Sequence, residues 1–378
     1  MIVRTRPMLL LAAYGLALLI PTTPTRADIR YTLTDLGTLG GASSSAGAIN
    51  AAGQVVGVAQ TASGENRAFL YDNGTMTALG PLGGGPIAVN GINNDGRIVG
   101  WSAPHWNESP NAFLYDHGTI TEFDTFRAGP GGAYGINNAG RIVGGAVASG
   151  NGMEHAFVYD HDDGTVIDLG TLGGLYSYAF GINNAGVVVG IAETAIRAMH
   201  AFLYGNGVMT DLGTLGGDYS TANGVNDAGK VVGVADTADG ARRAFLYDNG
   251  TMLDLGTLGG DYSDANGINA AGWVVGSART ASSAIHAFLY DGLMMIDLND
   301  LIDSDLGWTL RDARAINDRG QIVGSGTNAL GQQRAFLLTP DAAPIAAAPE
   351  PSTVVLMGGL GLTGLACRAL RRRGRTPR

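Results

Sequence analysis

The chain has 378 residues, 45% of them apolar, with 60 glycines and a single cysteine, Cys367. That much apolar material can bury a substantial core, and the glycines keep no every-third spacing, which excludes collagen and argues against disorder. One cysteine excludes an internal disulfide, and a formal charge of −10 argues against nucleic acid as a partner.

Residues 1–27 carry Arg4 and Arg6, then an apolar stretch over 8–20, then a polar segment ending Thr-Arg-Ala. This is the layout of a secretory signal with cleavage after Ala27, too short and wrongly flanked for a permanent span. The body that follows is expected on the far side of the inner membrane.

Residues 31–37 (YTLTDLG) read as one short strand of the kind that ends each later repeat. A first string then recurs: GAINAAGQVVG at 47–57, GINNDGRIVG at 91–100, GINNAGRIVG at 135–144, GINNAGVVVG at 181–190, GVNDAGKVVG at 224–233, GINAAGWVVG at 267–276 and AINDRGQIVG at 315–324. Its asparagines, Asn50, Asn93, Asn137, Asn183, Asn226, Asn269 and Asn317, step by 43 to 48 residues. A second string follows each copy, from RAFLYDNG at 67–74 to RAFLL at 334–338. The third is DLGTLGG, clear at 35–41, 168–174, 211–217 and 254–260 and degenerate at 78–84, 122–126 and 297–301.

Each period reads as four strands. The first ends in Ile-Asn, and Asn-x-x-Gly makes the tight turn: Asn bonds its own backbone ahead and Gly takes a positive φ. The second is the VVG run, the third is AFLY closed by an Asn-Gly hairpin signal, and the fourth is the TMxDLG stretch. No segment between 28 and 345 sustains a 3.6-residue apolar period. Four-strand units of this length are the blade size of propellers. The phase points the same way, because the body opens on a lone fourth strand and closes on a third one. The expected fold is therefore all-β, a seven-bladed β-propeller of four-stranded repeats of about 44 residues, closed by the N-terminal strand. The alternative, an open β repeat array, would leave both end strands incomplete.

Within this frame the candidate chemistry is sparse. Of the six histidines, His155, His200 and His286 occupy one repeat position, where other copies hold Arg67, Asn111, Arg243 and Arg334. Equivalent positions spread around a ring do not converge on a metal, so they are expected to cap strands, and no metal or other cofactor is expected. No calcium loop, Gly-x-Ser-x-Gly elbow or phosphate loop is present, and Lys230 is the sole lysine. Two irregular segments stand out: 101–110 gathers Trp101, His105, Trp106 and Glu108, and 297–308 gathers Asp300, Asp303, Asp305 and Trp308. Read as a sugar platform and a carboxylate pair, they would make a secreted carbohydrate-active enzyme; read as an ordinary loop and a solvated acidic edge, they leave no catalytic residue.

Tyr176, Tyr219 and Tyr262 each precede a repeat asparagine by seven residues, where other copies have Ser43, Pro86, Pro130 and Leu310. They are expected on the connection from one outer strand to the next inner strand, beside Asp218 and Asp261, with Trp106 on the same rim. Such aromatic faces suit sugars or peptide segments.

A Pro/Ala-rich linker at 341–348 separates the body at 28–340 from a tail at 349–378. The tail begins Pro349, Glu350, Pro351, Ser352, Thr353, continues as an apolar stretch over 354–366, and ends in six arginines from Arg368 to Arg378. It is short for a bilayer and glycine-rich, suited to pausing in a membrane rather than staying there. Its three parts resemble the PEP-CTERM sorting tail of Gram-negative bacteria. The resemblance implies an exosortase-type transpeptidase as partner, cutting near Pro349, Glu350 and Pro351, with the membrane touched only transiently. Without the signal and the six tail arginines, 14 of the 23 basic residues remain against all 33 acidic ones, a charge near −19.

The repeat strings themselves, with His-Ala-Phe at 155–157, 200–202 and 286–288, resemble HAF-repeat extracellular proteins over nearly all of 31–338. That resemblance implies a cell-surface or extracellular repeat protein and no established activity. The expectation is thus a non-enzymatic surface or biofilm-matrix propeller binding an exopolysaccharide or a surface protein, and no nucleic acid.

Overall fold

The computed structural model describes residues 29–341 apart from 83–84, 106–107, 124–130 and 149–151. The signal, the linker, the sorting residues Pro349, Glu350 and Pro351, and Trp106 lie outside the described residues. The described chain is all-β, with only two 3-10 turns, Leu298–Leu301 and Ser304–Leu306.

Its strands fall into seven antiparallel units of four. In unit 1 the inner strand Gly40–Ile49 pairs with Val55–Thr61, which pairs with Asn66–Asp72, which pairs with the outer strand Thr75–Ala78. Units 2 to 6 repeat this order. Unit 7 takes Thr309–Ile316, Ile322–Thr327 and Gln333–Pro340 from the end of the chain, and its fourth strand is Tyr31–Asp35 from the beginning, in register Tyr31 to Pro340. Single parallel bridges, Met199 to Tyr219 and Arg242 to Tyr262, join units 4, 5 and 6 into one twelve-stranded path. No sheet among the described residues closes on itself.

The core is divided among the seams between units. Phe69, Phe113, Phe157, Phe202, Phe245, Phe288 and Phe336, the phenylalanines of the second string, are all fully buried. Each cluster draws on two neighbours, as Val143 and Val158 of unit 3 do with Val188 and Phe202 of unit 4. Val323 and Leu337 of unit 7 likewise pack on Val55 and Phe69 of unit 1. The glycine of the VVG run is required by close approach: a Cβ on Gly57 would stand 2.1 Å from the Ser45 carbonyl and 2.9 Å from the Phe69 ring.

Two side-chain devices hold the seams. All seven repeat asparagines are buried. Their amide oxygens accept from their own turns, as Asn50 does from Ala52 and Gln54. Their Nδ2 groups reach the next unit: Asn50 donates to the Asn93 carbonyl, Asn93 to Asn137, and so on to Asn269 with Asn317, at 3.0–3.3 Å. Asn317 then donates to the Asn50 carbonyl at 3.0 Å. The sequence reading found the bond of each asparagine to its own turn and missed the bond between units.

The second device is a serine latch. Ser177 donates to Gly170 at 2.5 Å and accepts from Ala156 N–H at 2.8 Å, tying the inner strand of unit 4 to the last turn and third strand of unit 3. Ser220, Ser263 and Ser44 do the same at the next two seams and at the seam of units 7 and 1. The DLGTLGG string makes the turn that the latch grips. Its Asp accepts from the Gly two residues on, and its Thr donates to the last Gly carbonyl, as in Asp211 with Gly213 and Thr214 with Gly217.

Candidate functional site

Those turns close early enough to move the expected tyrosine site. Tyr176, Tyr219 and Tyr262 are not on connecting loops; they lie inside the inner strands Gly173–Ile182, Gly216–Val225 and Gly259–Ile268. The strand starts at the glycine pair because Asp and Thr have already satisfied the turn. The connection does sit beside the hairpin of the second and third strands, through bridges such as Leu172 to Thr194 and Leu215 to Thr237.

Tyr176 is 37% exposed, and the other two are half-buried. The Arg242 guanidinium stands 4.7 Å from the centroid of the Tyr219 ring. Tyr262 Oη is 3.5 Å from Asp264 Oδ2. Burial raises the phenols of Tyr219 and Tyr262 above their ordinary range. Since Tyr219 and Tyr262 are also the bridge residues between units, they serve the seam and the rim together. Of the neighbouring acids, Asp218 is exposed and Asp261 is paired with Arg279 at 2.8 Å, which holds its carboxyl below the usual range.

Side chains alternate along a strand, so positions two and four residues after each tyrosine share its face. They lead to a cavity of about 520 Å³ at the channel mouth between the inner strands. Three sectors line it. Units 3 and 4 supply Tyr134 and Phe180, in edge contact at 5.5 Å between centroids. Units 5 to 7 supply Asn223, Asp264, Asn266 and Arg314. Units 1 and 2 supply small or apolar groups, among them Ala46, Gly47, Ala88 and Val89, together with Asn90, whose Nδ2 donates to the Ala133 carbonyl at 2.9 Å.

The polar sector is an ordered chain. Asn223 Nδ2 donates to Asp264 Oδ1 at 3.0 Å and to the Ala265 carbonyl at 2.9 Å. Asn266 Nδ2 repeats this with Asp312 Oδ1 and the Ala313 carbonyl. Asp312 Oδ2 lies 2.5 Å from Arg314 Nε. Burial raises the Asp264 carboxyl to about 6, and Asp312 adds to the shift. Thr221, on the same strand face, is 7% exposed and its hydroxyl has no partner among the described residues.

This cluster escaped the sequence reading, although a signal was there. Thr221-Ala-Asn-Gly in one repeat becomes Asp264-Ala-Asn-Gly in the next, within otherwise near-identical flanks, and Asp312 follows at the same position. An acid that replaces a neutral residue at one step of a regular repeat marks a local demand.

The other candidates do not assemble. Asp300, Asp303 and Asp305 are exposed, and Asp297 and Asp303 cap the two 3-10 turns. Trp308 packs on the cluster between units 6 and 7. Trp101 stacks at the seam against Gly132, and His105 and Glu108 are exposed in a turn. His155, His200 and His286 pair with Asp168, Asp211 and Asp297, the acids that end the outer strands of their own units. The second and third strings thus speak to each other, a partnership the capping reading did not include. No group of three or more metal-ligating side chains is found among the described residues.

Residues 347–373 match the PEP-CTERM protein-sorting motif, which implies export to the cell envelope or surface by an exosortase-type system. No curated protein matches the chain. Among solved structures, the β-propeller domain of the Trilobed protease from Pyrococcus furiosus matches 85% of this chain and all of that one at 10% identity and TM-score 0.50. A puromycin-hydrolyzing peptidase of Mycobacterium tuberculosis matches 82% of this chain and 54% of that one at 10% identity and TM-score 0.54. TolB from Acinetobacter baumannii is 15% identical at TM-score 0.46, and the match spans 76% of this chain and 63% of TolB. At these identities the likeness concerns the fold, which is propeller-like. No helix among the described residues is long and apolar enough to cross a membrane.

Proposed function

We propose that the body is a closed seven-bladed β-propeller displayed at the cell surface or in the extracellular matrix, and that it acts without catalysis, binding a glycan or a surface protein on its tyrosine-bearing face. Closure is supported by the pairing of Tyr31–Asp35 with the last strand, by the apolar cluster shared between the last and first units, and by the return of the asparagine bonds to Asn50. The repeat strings keep their resemblance to HAF-repeat extracellular proteins, and the sorting motif accounts for display.

The observation that carries the binding reading is the gathering of Tyr176, Tyr219 and Tyr262 on the strand face that leads into the channel mouth. Binding is favoured over cleavage because Asp264 and Asp312 are already bonded to Asn223, Asn266 and Arg314, which leaves neither free to act as a mobile acid or base. Recombinant body 28–345 should be retained by the extracellular matrix fraction of its own host. Changing Tyr176, Tyr219 and Tyr262 together to Ala should abolish that retention, with the melting temperature lowered by only a few degrees. Undiminished retention by the triple variant would refute the assignment of this face.

A further inference from the structure

We infer that the channel mouth is a dedicated pocket for one neutral pyranose unit of a polysaccharide, with Asp264, Arg314, Asn223 and Asn266 as its hydrogen-bonding wall, Asp312 holding Arg314 and Asn266 in place from behind, and Tyr134 with Phe180 as its stacking wall. This rests on the binding face proposed above and names the ligand class and the place.

Size comes first. A cavity of about 520 Å³ lies within the ~300–1,000 Å³ range of small-molecule sites. Below it the channel narrows to about 210 Å³ between Gly91, Ile136, Ile182, Val225, Ile268 and Ile316. The belt of asparagines follows, its amides spent on one another. A ligand therefore enters from the tyrosine face and stops at the mouth.

Unspent hydrogen-bonding capacity comes second. The Nδ2 groups of Asn223 and Asn266 are committed, which fixes their amide oxygens as acceptors with no partner among the described residues. Arg314 uses Nε on Asp312, and its terminal nitrogens have no partner there either. Each carboxylate oxygen keeps a further lone pair. Alternating fixed acceptors and donors match hydroxyls, each of which donates once and accepts, and adjacent ring hydroxyls can bridge a carboxylate and a guanidinium.

Charge comes third. Asp312 is offset by Arg314, and the Asp264 carboxyl, raised by burial to about 6, keeps a negative charge at neutral pH. An anionic ligand is therefore repelled, while a neutral polar one is not. The Tyr134 and Phe180 rings, at 5.5 Å, offer the apolar wall on which the C–H face of a pyranose packs. The acids and the guanidinium occur in one arc of the ring, since unit 1 has Ser45 and Gly47 and unit 2 has Ala88 and Asn90 at the matching positions. The strands could close without them.

The test is calorimetric titration of body 28–345 with neutral glucan, galactan and mannan tetrasaccharides, with oligogalacturonate as the anionic control. Wild type should bind one of the neutral probes, and Asp312→Asn and Arg314→Gln should each weaken it about tenfold or more. Melting of both variants within a few degrees of wild type checks that the loss does not reflect unfolding. Binding of the neutral probe that survives Asp312→Asn and Arg314→Gln would overturn the pocket while sparing the tyrosine face. Binding of oligogalacturonate alone, or release of reducing ends from a neutral probe, would overturn the ligand class or the binding role. Matrix retention with no titration by any neutral probe would also overturn the inference and leave the broader reading standing.

Discussion

Units 4 to 6 and units 2 to 3 use the same four strands and join them differently. In units 4 to 6 the inner strands run for ten residues, and units 4, 5 and 6 are stitched into one hydrogen-bonded path. In units 2 and 3 the inner strands Ile87–Ile92 and Gly131–Ile136 run for six. The cause is local. Pro86 and Pro130 stand where the longer strands have tyrosine, and proline cannot donate to a ladder or a bridge. The next residue is Ile87 or Gly131 in place of the latch serine. The seam of units 2 and 3 is left to apolar packing of side chains such as Val99, Leu114 and Ile142, together with the asparagine belt. Apolar clusters and the asparagine belt hold units 2 and 3 together, and the serine latch adds register and continuity at the seams that have it.

The most damaging break in that comparison is removal of residues 29–38. It strips the fourth strand from unit 7, with the buried Tyr31 and Leu36, and takes away the turn that Ser44 grips. With two large side chains unburied and the free edge of Gln333–Pro340 exposed, the loss should be about 5 kcal/mol or more, with association of the bared edge. Denaturant unfolding and sedimentation would read both; an unchanged monomer would restore the open array.

A smaller break sharpens the contrast between seams. Ser220→Ala leaves the buried Ala201 N–H without its acceptor and should cost about 1–3 kcal/mol. Ile87→Ser, at the matching position of a latchless seam, should bring no compensating gain. Hydrogen exchange at Ala201 and at Ala68 would compare the two directly.

The smallest effect concerns Asp264. Its folded value of about 6 exceeds the ordinary 3.8, so the folded state holds this proton more tightly than the unfolded state does. The penalty of burying the carboxylate is fully present above pH 6 and disappears as pH falls toward 4. Asp264→Asn should therefore melt about 1–3 °C higher than wild type at pH 8, with the gap closing near pH 4. A gap independent of pH would place the effect in packing rather than ionisation.

Much of the architecture was legible because it is written seven times. Asn-x-x-Gly, AFLY and DLGTLGG marked turns and strands, and the lone opening strand pointed to a partner at the far end. What stayed hidden were relations between strings. The histidine of one string and the aspartate of the next sit side by side only once register is set, as His200 and Asp211 do. The serine latch joins residues 19 to 21 apart within a period and 291 apart at the last seam, beyond the reach of any local pattern. The polar mouth was hidden for another reason: Asp264, Asp312 and Arg314 are departures from recurrence, on strands whose convergence at one mouth only the fold reveals.

The belt of asparagines has a property that follows from its direction. Every amide donates forward to the next unit and none donates back, so the cycle is homodromic and its bond dipoles point one way around the ring. No link in this cycle is terminal. A duplication or loss of one complete repeat would preserve the cycle, because the incoming or remaining asparagine finds the same donor behind it and the same acceptor ahead. A fractional repeat would strand a donor at one join and an acceptor at the other, both deeply buried. The belt therefore restricts copy-number change in this gene to whole units, independently of whatever the opposite mouth binds.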